Sequence, residues 1–427
     1  MPSLAPRPLS LPAGLASGDL YSTEGAARID ALFVAHLREA DAALADRLVQ
    51  ARAAPDALER KAGSELLIAL APHVEDFLAA LFGIVAEVRA LEARHHELAP
   101  LYSVRRLFVQ RRAMNAHKPD AAAEFDGPAL RQAVEAAMGE PWTELAFANA
   151  VTRWQQDEAA HADALDAATR YAAWAAHTEE GRTANRGGIL FRAPRKLDHL
   201  QLVPLEAVHV EGVMAWKHPG DHLRRREGFA LTDPGMDLPA ALGEAHYCIW
   251  CHEQGKDSCA RGLPEKKPAD GSVQEIPFRR SPFGVILAGC PLEEKISEFQ
   301  KLRAEGWPLG ALATMCVDNP LVAGTGHRIC NDCMKGCIYQ KTDPVNIPQI
   351  ETNVLTDVLF MPYGFEIYSL LTRWNPLNVK RPVMRPYNGK NVLVVGLGPA
   401  GYTMSHYLLN EGFGVAGIDG LKVEPLP

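Results

Sequence analysis

Apolar residues recur at helical spacing through most of the first 178 positions. Ile29, Leu32, Phe33 and Leu37 stand at i, i+3, i+4 and i+8, and Ser22 or Thr23 can cap the helix they predict. A second helix can open at Asp56 and carry Leu70, Val74, Phe77, Leu78, Leu81, Val85 and Val88 on one face, with Pro72 starting or kinking it. A third spans Leu101 to His117 and stops at Pro119. Two more follow Gly127-Pro128 and Gly139-Glu140-Pro141, the last carrying Leu145, Phe147, Val151, Trp154, Leu165, Tyr171 and Trp174. Abundant alanine favours helix and close helix packing.

The pattern changes near Gly181. Residues 181–243 are richer in Gly, Pro and Arg and read as a mixed connector. Residues 244–389 hold every cysteine. Residues 390–427 begin as an apolar strand, a glycine turn, a helix and a second strand. The predicted fold class is therefore mostly α: a helical domain over 1–180, the connector, an α-helical cysteine domain, and the start of a Rossmann-like α/β unit. One β-α-β unit lacks the neighbouring strands of a doubly wound sheet, so a further segment is expected to complete it.

A length of 427 residues suggests about three domains. A net charge of −8 gives no electrostatic footprint for nucleic acid. The N-terminus lacks the apolar core of a secretory signal. The most apolar long stretch, Leu66 to Val88, is interrupted by His73, Glu75, Asp76 and Glu87, so no membrane span is expected. A cytoplasmic location follows as the default, and a reducing compartment keeps thiols available as ligands.

The eight cysteines lie within the 90 residues from Cys248 to Cys337. One set is Cys248, Cys251, Cys259 and Cys290, with Pro291 next. The other is Cys316, Cys330, Cys333 and Cys337. Two sets of four thiolates suit two metal centres. The C-x2-C pairs and the C-x2-C-x3-C run have ferredoxin-like spacing and point to [4Fe–4S] clusters. Structural zinc uses C-x2-C pairs as well, and disulfides fit a reducing compartment poorly. Pro291 is placed to open a helix with Ile296, Phe299 and Leu302 on one face, whose positive end would face a cluster.

The run Asn391-Val-Leu-Val-Val-Gly396-Leu-Gly398-Pro399-Ala400-Gly401 is G-x-G-x-x-G directly after a strand, and Asp419 ends the second strand 23 residues after Gly396. That context favours a dinucleotide site: Gly396 for the tight turn, Gly398 for approach of the pyrophosphate, Gly401 for close packing, Asp419 for a ribose hydroxyl.

Taken in order, Cys-x-x-Cys, Gly289-Cys290-Pro291, Asp318-Asn319-Pro320, Thr325-Gly326-His327-Arg328-Ile329-Cys330, the cysteine triplet, Pro344-Val345-Asn346-Ile347-Pro348 and Val-Val-Gly-x-Gly-Pro-Ala-Gly resemble the small (beta) subunit of glutamate synthase. The N-terminal iron–sulfur and FAD part of dihydropyrimidine dehydrogenase looks similar. The likeness covers roughly residues 244–420 and leaves 1–240 without a match. It implies an oxidoreductase in which electrons pass from NADPH to FAD and through two [4Fe–4S] clusters toward a redox partner subunit or domain, the NAD(P)H domain lying downstream of Pro427. It also implies that Cys248, Cys251, Cys259 and Cys290 hold one cluster. Cys330, Cys333 and Cys337 would hold three corners of the other, with Cys316 favoured over Glu351 as the fourth. The wide Cys251–Cys259 gap and the 30 residues between Cys259 and Cys290 depart from the family pattern.

Two other readings differ in class. The chain can be a non-catalytic scaffold whose cysteines hold structural zinc. Glu-x-x-His recurs at Glu92/His95, Glu158/His161 and Glu206/His209, which allows a ferritin-like di-iron bundle. Solvated or capping histidines account for these pairs better than a di-iron site does. Arg224-Arg225-Arg226 reads as a solvated loop, and Tyr247 and Trp250 as shields beside the cysteines.

Overall fold

Side-chain caps fix where the first helices begin. Ser22 accepts the Gly25 N–H at 3.0 Å and opens α1 (Thr23–Ala40). Asp41 accepts the Leu44 N–H at 2.9 Å and opens α2 (Ala42–Ala53). Each satisfies one of the orphan donors at a helix start. The structure is a computed structural model that describes residues 8–220, 223, 227–229, 235–266, 276–326 and 329–420. The Arg224–Arg226 run, His327, Arg328 and the positions before 8 and after 420 lie outside the described residues.

α3 (Arg60–Leu81) starts well before Pro72, which sits inside it. The chain then turns at Gly83, whose φ of +65° suits glycine, and α4 (Val85–Val104) begins. Val85 is thus 47% exposed and Val88 belongs to a new helix, so the single face expected from Leu70 to Val88 is split. α4 widens into a π-helical stretch at Arg105–Ala113 before ending at Ala116, which covers most of the helix expected from Leu101. α5 (Gly127–Met138) ends at Gly139, φ +72°. The helix expected after Pro141 is two: α6 (Glu144–Trp154), capped by Thr143, and α7 (Ala162–His177). Asp157 takes the Ala160 N–H at 3.1 Å in the turn between them, offering the backbone an alternative to helix.

The helices feed two cores. Ile29, Phe33, Leu70 and Val74 pack with Phe299, Leu312, Ile350 and Trp374 of the cysteine half. Phe108, Phe147, Val151 and Tyr171 gather separately with Phe191 and Leu242. The first eighty residues are therefore part of the cysteine half's core, and the following hundred form their own. Trp374 Nε1 donates to Asp30 at 3.0 Å across that junction, and Asp30 also pairs with Arg52. Buried Glu75 accepts the N–H groups of Leu309 and Gly310 at 2.9 and 3.1 Å. It caps α10 (Pro308–Asp318) from another part of the chain.

The connector holds an antiparallel hairpin, β1 (Glu206–Val210) with β2 (Val213–Lys217), and α8 (Leu238–Tyr247), which delivers Cys248. The cysteine half adds α9 (Ile296–Glu305), α10, α11 (Ile347–Leu359) and α12 (Gly364–Leu371). The helix expected at Pro291 starts five residues later, at Ile296, because Glu293 sits at a positive φ of +49° that breaks the helical path. At the end of the described chain, β3 (Asn391–Val395) pairs in parallel with β4 (Gly414–Ile418) through α13 (Pro399–Asn410). Tyr402 and Tyr407 on α13 donate to the carbonyls of Gly324 and Asp318 at 2.7 and 3.0 Å, which fixes the unit to the cysteine half. The chain is mostly helical, and among the described residues no helix is long and apolar enough to cross a membrane.

Candidate metal centre

Cys248 ends α8, and Trp250 follows in a left-handed conformation, φ +51°, which folds the chain back so that its N–H points to Cys248 Sγ at 3.4 Å. Cys251 opens a 3-10 turn, Cys259 lies in the short helix Ser258–Arg261, and Cys337 caps the short helix Asp332–Gly336. These four cysteines line one cavity with Ile249, Ile338, Tyr339, Val345 and Ile347. Gly336 explains the convergence. A Cβ there would lie 2.5 Å from the Ser258 carbonyl oxygen and 2.9 Å from the Gly289 Cα. Only glycine lets the Cys337 turn meet the Cys259 helix backbone to backbone.

The grouping implied by the resemblance is therefore exchanged between sets: Cys337, rather than Cys290, joins Cys248, Cys251 and Cys259. Cys290 donates its N–H to the Cys259 carbonyl at 2.8 Å, but its thiol lies near Glu294 and Glu351. Cys333 is within electrostatic reach of those two acids and of Cys290 and Cys330. The second group is thus Cys290, Cys330 and Cys333 with two buried carboxyls. Cys316 is buried in α10 and faces Pro320, Leu371, Tyr407 and Asn410. Glu351, not Cys316, stands beside the trio. A ferredoxin-type run whose last cysteine serves the other centre has the same logic, in which neighbours in sequence are divided between sites.

Burial pushes the Cys248 thiol up to about 12 and Cys290 to about 11, and holds Cys259 and Cys333 well above the usual range. Burial also pushes Glu351 to about 8 and holds Glu294 well above the usual carboxylate range, with Glu351 adding to the rise at Glu294. Buried thiols of this kind are neutral, and they would have to release protons before any metal could bind them. Among the described residues, no group of three or more His, Cys, Asp or Glu side chains is placed to hold a single metal ion. The arrangement is a ring of thiols around a cavity.

Tyr247 and Tyr339 stack at 4.4 Å and 9° over the four-cysteine cavity. Trp250 sits under Lys301, whose ammonium is 5.4 Å from the ring. In the glycine turn, Gly396 has φ +93°, and a Cβ on Gly401 would lie 1.8 Å from the Gly396 carbonyl oxygen, so both positions require glycine. Gly398 faces open space. Pro399 and Ala400 open α13, and Asp419 accepts the Leu397 N–H. The Glu-x-x-His pairs are not brought together. Glu92 pairs with Arg89 at 2.7 Å, His95 Nδ1 is bonded to the Leu91 carbonyl at 2.8 Å, and Glu158 pairs with Arg112 at 2.6 Å. Glu206 and His209 lie on β1.

The model of a family described as RP005 N-terminal alpha-helical domain matches residues 11–83, the helices that dock into the cysteine half. The uncharacterized protein RP005 of Rickettsia prowazekii is 31% identical over 290 residues, 66% of this chain and 94% of that protein. The uncharacterized protein RP006 of the same organism is 62% identical over 106 residues, 25% of this chain. The chain spans only 15% of the length of RP006. No solved structure matches. These matches overturn the expected kinship with glutamate synthase and dihydropyrimidine dehydrogenase: the family model and both relatives carry the RP005 and RP006 names. The motif order that suggested it is built largely from C-x2-C pairs and a G-x-G-x-x-G turn, which follow from site chemistry and recur on unrelated proteins.

Proposed function

The chain belongs to the RP005 family, and from that premise and its two cysteine groups we propose that it is an electron-relay component of an NAD(P)H-dependent flavin and iron–sulfur oxidoreductase. The observation that carries the reading is the convergence of Cys248, Cys251, Cys259 and Cys337 on one apolar cavity. Four thiols from three separate segments suit a [4Fe–4S] cluster, and the Cys290, Cys330 and Cys333 trio, with Glu351 as an oxygen donor, suits a second. When bound, such clusters supply one-electron oxidation and reduction.

The protein's own part is to hold the sulfurs and shape their surroundings. Ile249, Val345 and Ile347 keep water from the four-cysteine cavity, and the tyrosine stack closes its side. Exclusion of water and the number of nearby charges set the potential of such a site. The glycine turn at Gly396, Gly398 and Gly401 would hold the pyrophosphate of FAD at the start of α13. Asp419 now braces that turn through the Leu397 N–H, so contact with a ribose hydroxyl would need that bond to be exchanged. Pyridine nucleotide and the redox partner would bind on other segments or subunits.

The test is anaerobic reconstitution of the full chain with iron and sulfide. A broad band near 400 nm with about eight irons and matching acid-labile sulfide supports the relay. Colourless, folded protein holding zinc in stoichiometric amount would sink it and make the thiols structural.

A further inference from the structure

We infer that the basic face above the Tyr247–Tyr339 stack is the docking surface for an acidic one-electron carrier protein. The inference rests on the relay reading and deepens it.

The stack joins two places. Tyr339 lines the four-cysteine cavity, and Tyr247 lines an adjoining surface pocket with Arg105, Gln110, Arg192, Glu244 and Asp343. The Tyr247 hydroxyl donates to the Asp343 carbonyl at 3.0 Å and the Tyr339 hydroxyl to the Tyr247 carbonyl at 3.4 Å, so the rings are held in register. They form an aromatic bridge between these thiols and that surface.

The surface is basic in a chain whose net charge is −8. From Ser103 to Lys118 there are five basic residues and no acid, and from Gly181 to Leu197 again five and none. The two segments meet where Gln110 Nε2 donates to the Arg192 carbonyl at 3.4 Å. The second then reaches the cysteine half, where Leu197 N–H donates to the Lys341 carbonyl at 3.1 Å. Arg106, Arg192, Arg195, Lys196 and Lys341 are exposed there. The acids that meet these segments are Asp198, Asp343, Glu158, which pairs with Arg112 at 2.6 Å, Glu179, which pairs with Arg182 at 2.6 Å, and buried Glu244, which binds Arg192 at 3.1 Å. Among the described residues, Arg106, Arg195, Lys196 and Lys341 carry the free positive charge. Exposed Ile338, beside Cys337, supplies an apolar spot at the edge. A charged rim around an aromatic and apolar centre is the anatomy of a transient interface steered by charge.

The β3–α13–β4 unit is fixed to the cysteine half at Gly324 and Asp318. Tyr407 on α13 is within electrostatic reach of Glu294 and Cys316, toward the carboxylate-flanked trio. A cluster held by Cys248, Cys251, Cys259 and Cys337 would, once reduced, be oxidised by one electron as the oxidised carrier is reduced by one. No bond forms and no proton moves.

The experiment uses the full chain, reconstituted with iron and sulfide, and an acidic plant-type ferredoxin as the probe. Binding is read by interferometry at low and moderate salt, and electron transfer by stopped flow after reduction with dithionite. The triple variant Arg195→Glu, Lys196→Glu, Lys341→Glu should bind about tenfold more weakly and lose most of its salt dependence. Tyr339→Leu should keep its absorption spectrum and its binding, and transfer electrons several-fold more slowly. A chain that takes up no iron overturns the relay reading and this inference with it. A chain that takes up iron but binds ferredoxin equally in wild-type and triple-variant form overturns this inference alone. Displacement of ferredoxin by equal concentrations of duplex DNA also overturns it, because the face would then answer to any polyanion.

Discussion

The two cysteine groups share a helical scaffold and differ in what surrounds the sulfur. Cys248, Cys251, Cys259 and Cys337 meet in a pocket of isoleucine, valine and tyrosine with Ser258 and Gln300, and one buried carboxyl, Asp257, accepts from the Cys259 thiol at 3.5 Å. Cys290, Cys330 and Cys333 meet beside two buried carboxyls, with Cys330 exposed. A site closed by four thiols is complete in its own donors. A site of three thiols and acids must take its fourth donor from oxygen, and each negative charge nearby makes added electrons less welcome. With two buried acids, Glu294 and Glu351, beside the trio and one, Asp257, beside the four-thiol group, the trio is expected to be the harder to reduce.

The largest effect that can break this comparison is loss of a thiol from the closed group. Cys259→Ser should remove about half of the roughly eight irons that two cubane clusters hold, leaving the second set of signals intact. Iron counts with electron paramagnetic resonance on reduced protein check it. Equal loss of both signals would mean that the groups are one site.

Glu351→Gln is the next test. It removes a carboxyl that is charged only above about pH 8 and keeps an oxygen donor beside Cys333 and Cys290, so the titration is run at about pH 9. The potential of the trio should rise while that of the four-cysteine group stays fixed, read by a redox titration that follows the two resonances separately. A shift in the four-cysteine group instead would place Glu351 at the wrong site.

Glu75 tests whether the N-terminal helices hold up the cysteine half. It is buried, caps α10, and is pushed to about 8 by burial, with Glu92 and Asp76 adding to the rise and Arg89 pairing with both of those acids. Below about pH 4.5 the carboxyl is neutral in folded and unfolded chain alike. Above that the unfolded chain releases its proton first, so the folded state loses stability as pH rises toward 8, and the loss levels off beyond. The span corresponds to roughly a few kcal/mol. Glu75→Gln still offers an acceptor to Leu309 and Gly310, so it should match wild type near pH 5 and exceed it at pH 8. Urea midpoints at the two pH values decide it, and parallel curves would discount the buried acid.

Much of this was legible in the sequence. Ser22 announces α1, Gly127-Pro128 announces α5, and the eight cysteines and the glycine turn can be read directly. The division of the cysteines could not be read, because it depends on a backbone contact at Gly336 between segments 77 residues apart from Cys259 to Gly336. Proximity in sequence favoured Cys290 for the first set, while space gave Cys337. The docking of the first helices escaped for a similar reason: their apolar stripes specify burial but not the partner, and Glu75, an acid at the edge of an apolar run, reads as surface until α10 is seen above it. The kinship inferred from motif order failed where the motifs record a shared chemistry more than descent.

Cys316 carries the smallest effect and the sharpest use. Sequence position made it the natural fourth ligand of the second set, yet in α10 it faces Leu371, Tyr407 and Asn410. Burial raises its thiol, and the one charged group that adds to this is Glu294. A buried cysteine of that kind acts as a small apolar residue. Cys316→Ala removes one sulfur from a packed helix face and should cost about 1 kcal/mol through the small void it leaves. Iron content and both resonances should be unchanged. If iron falls by half, as in Cys259→Ser, the thiol is a ligand, the trio is a quartet, and the contrast between a carboxyl-flanked site and a closed one disappears.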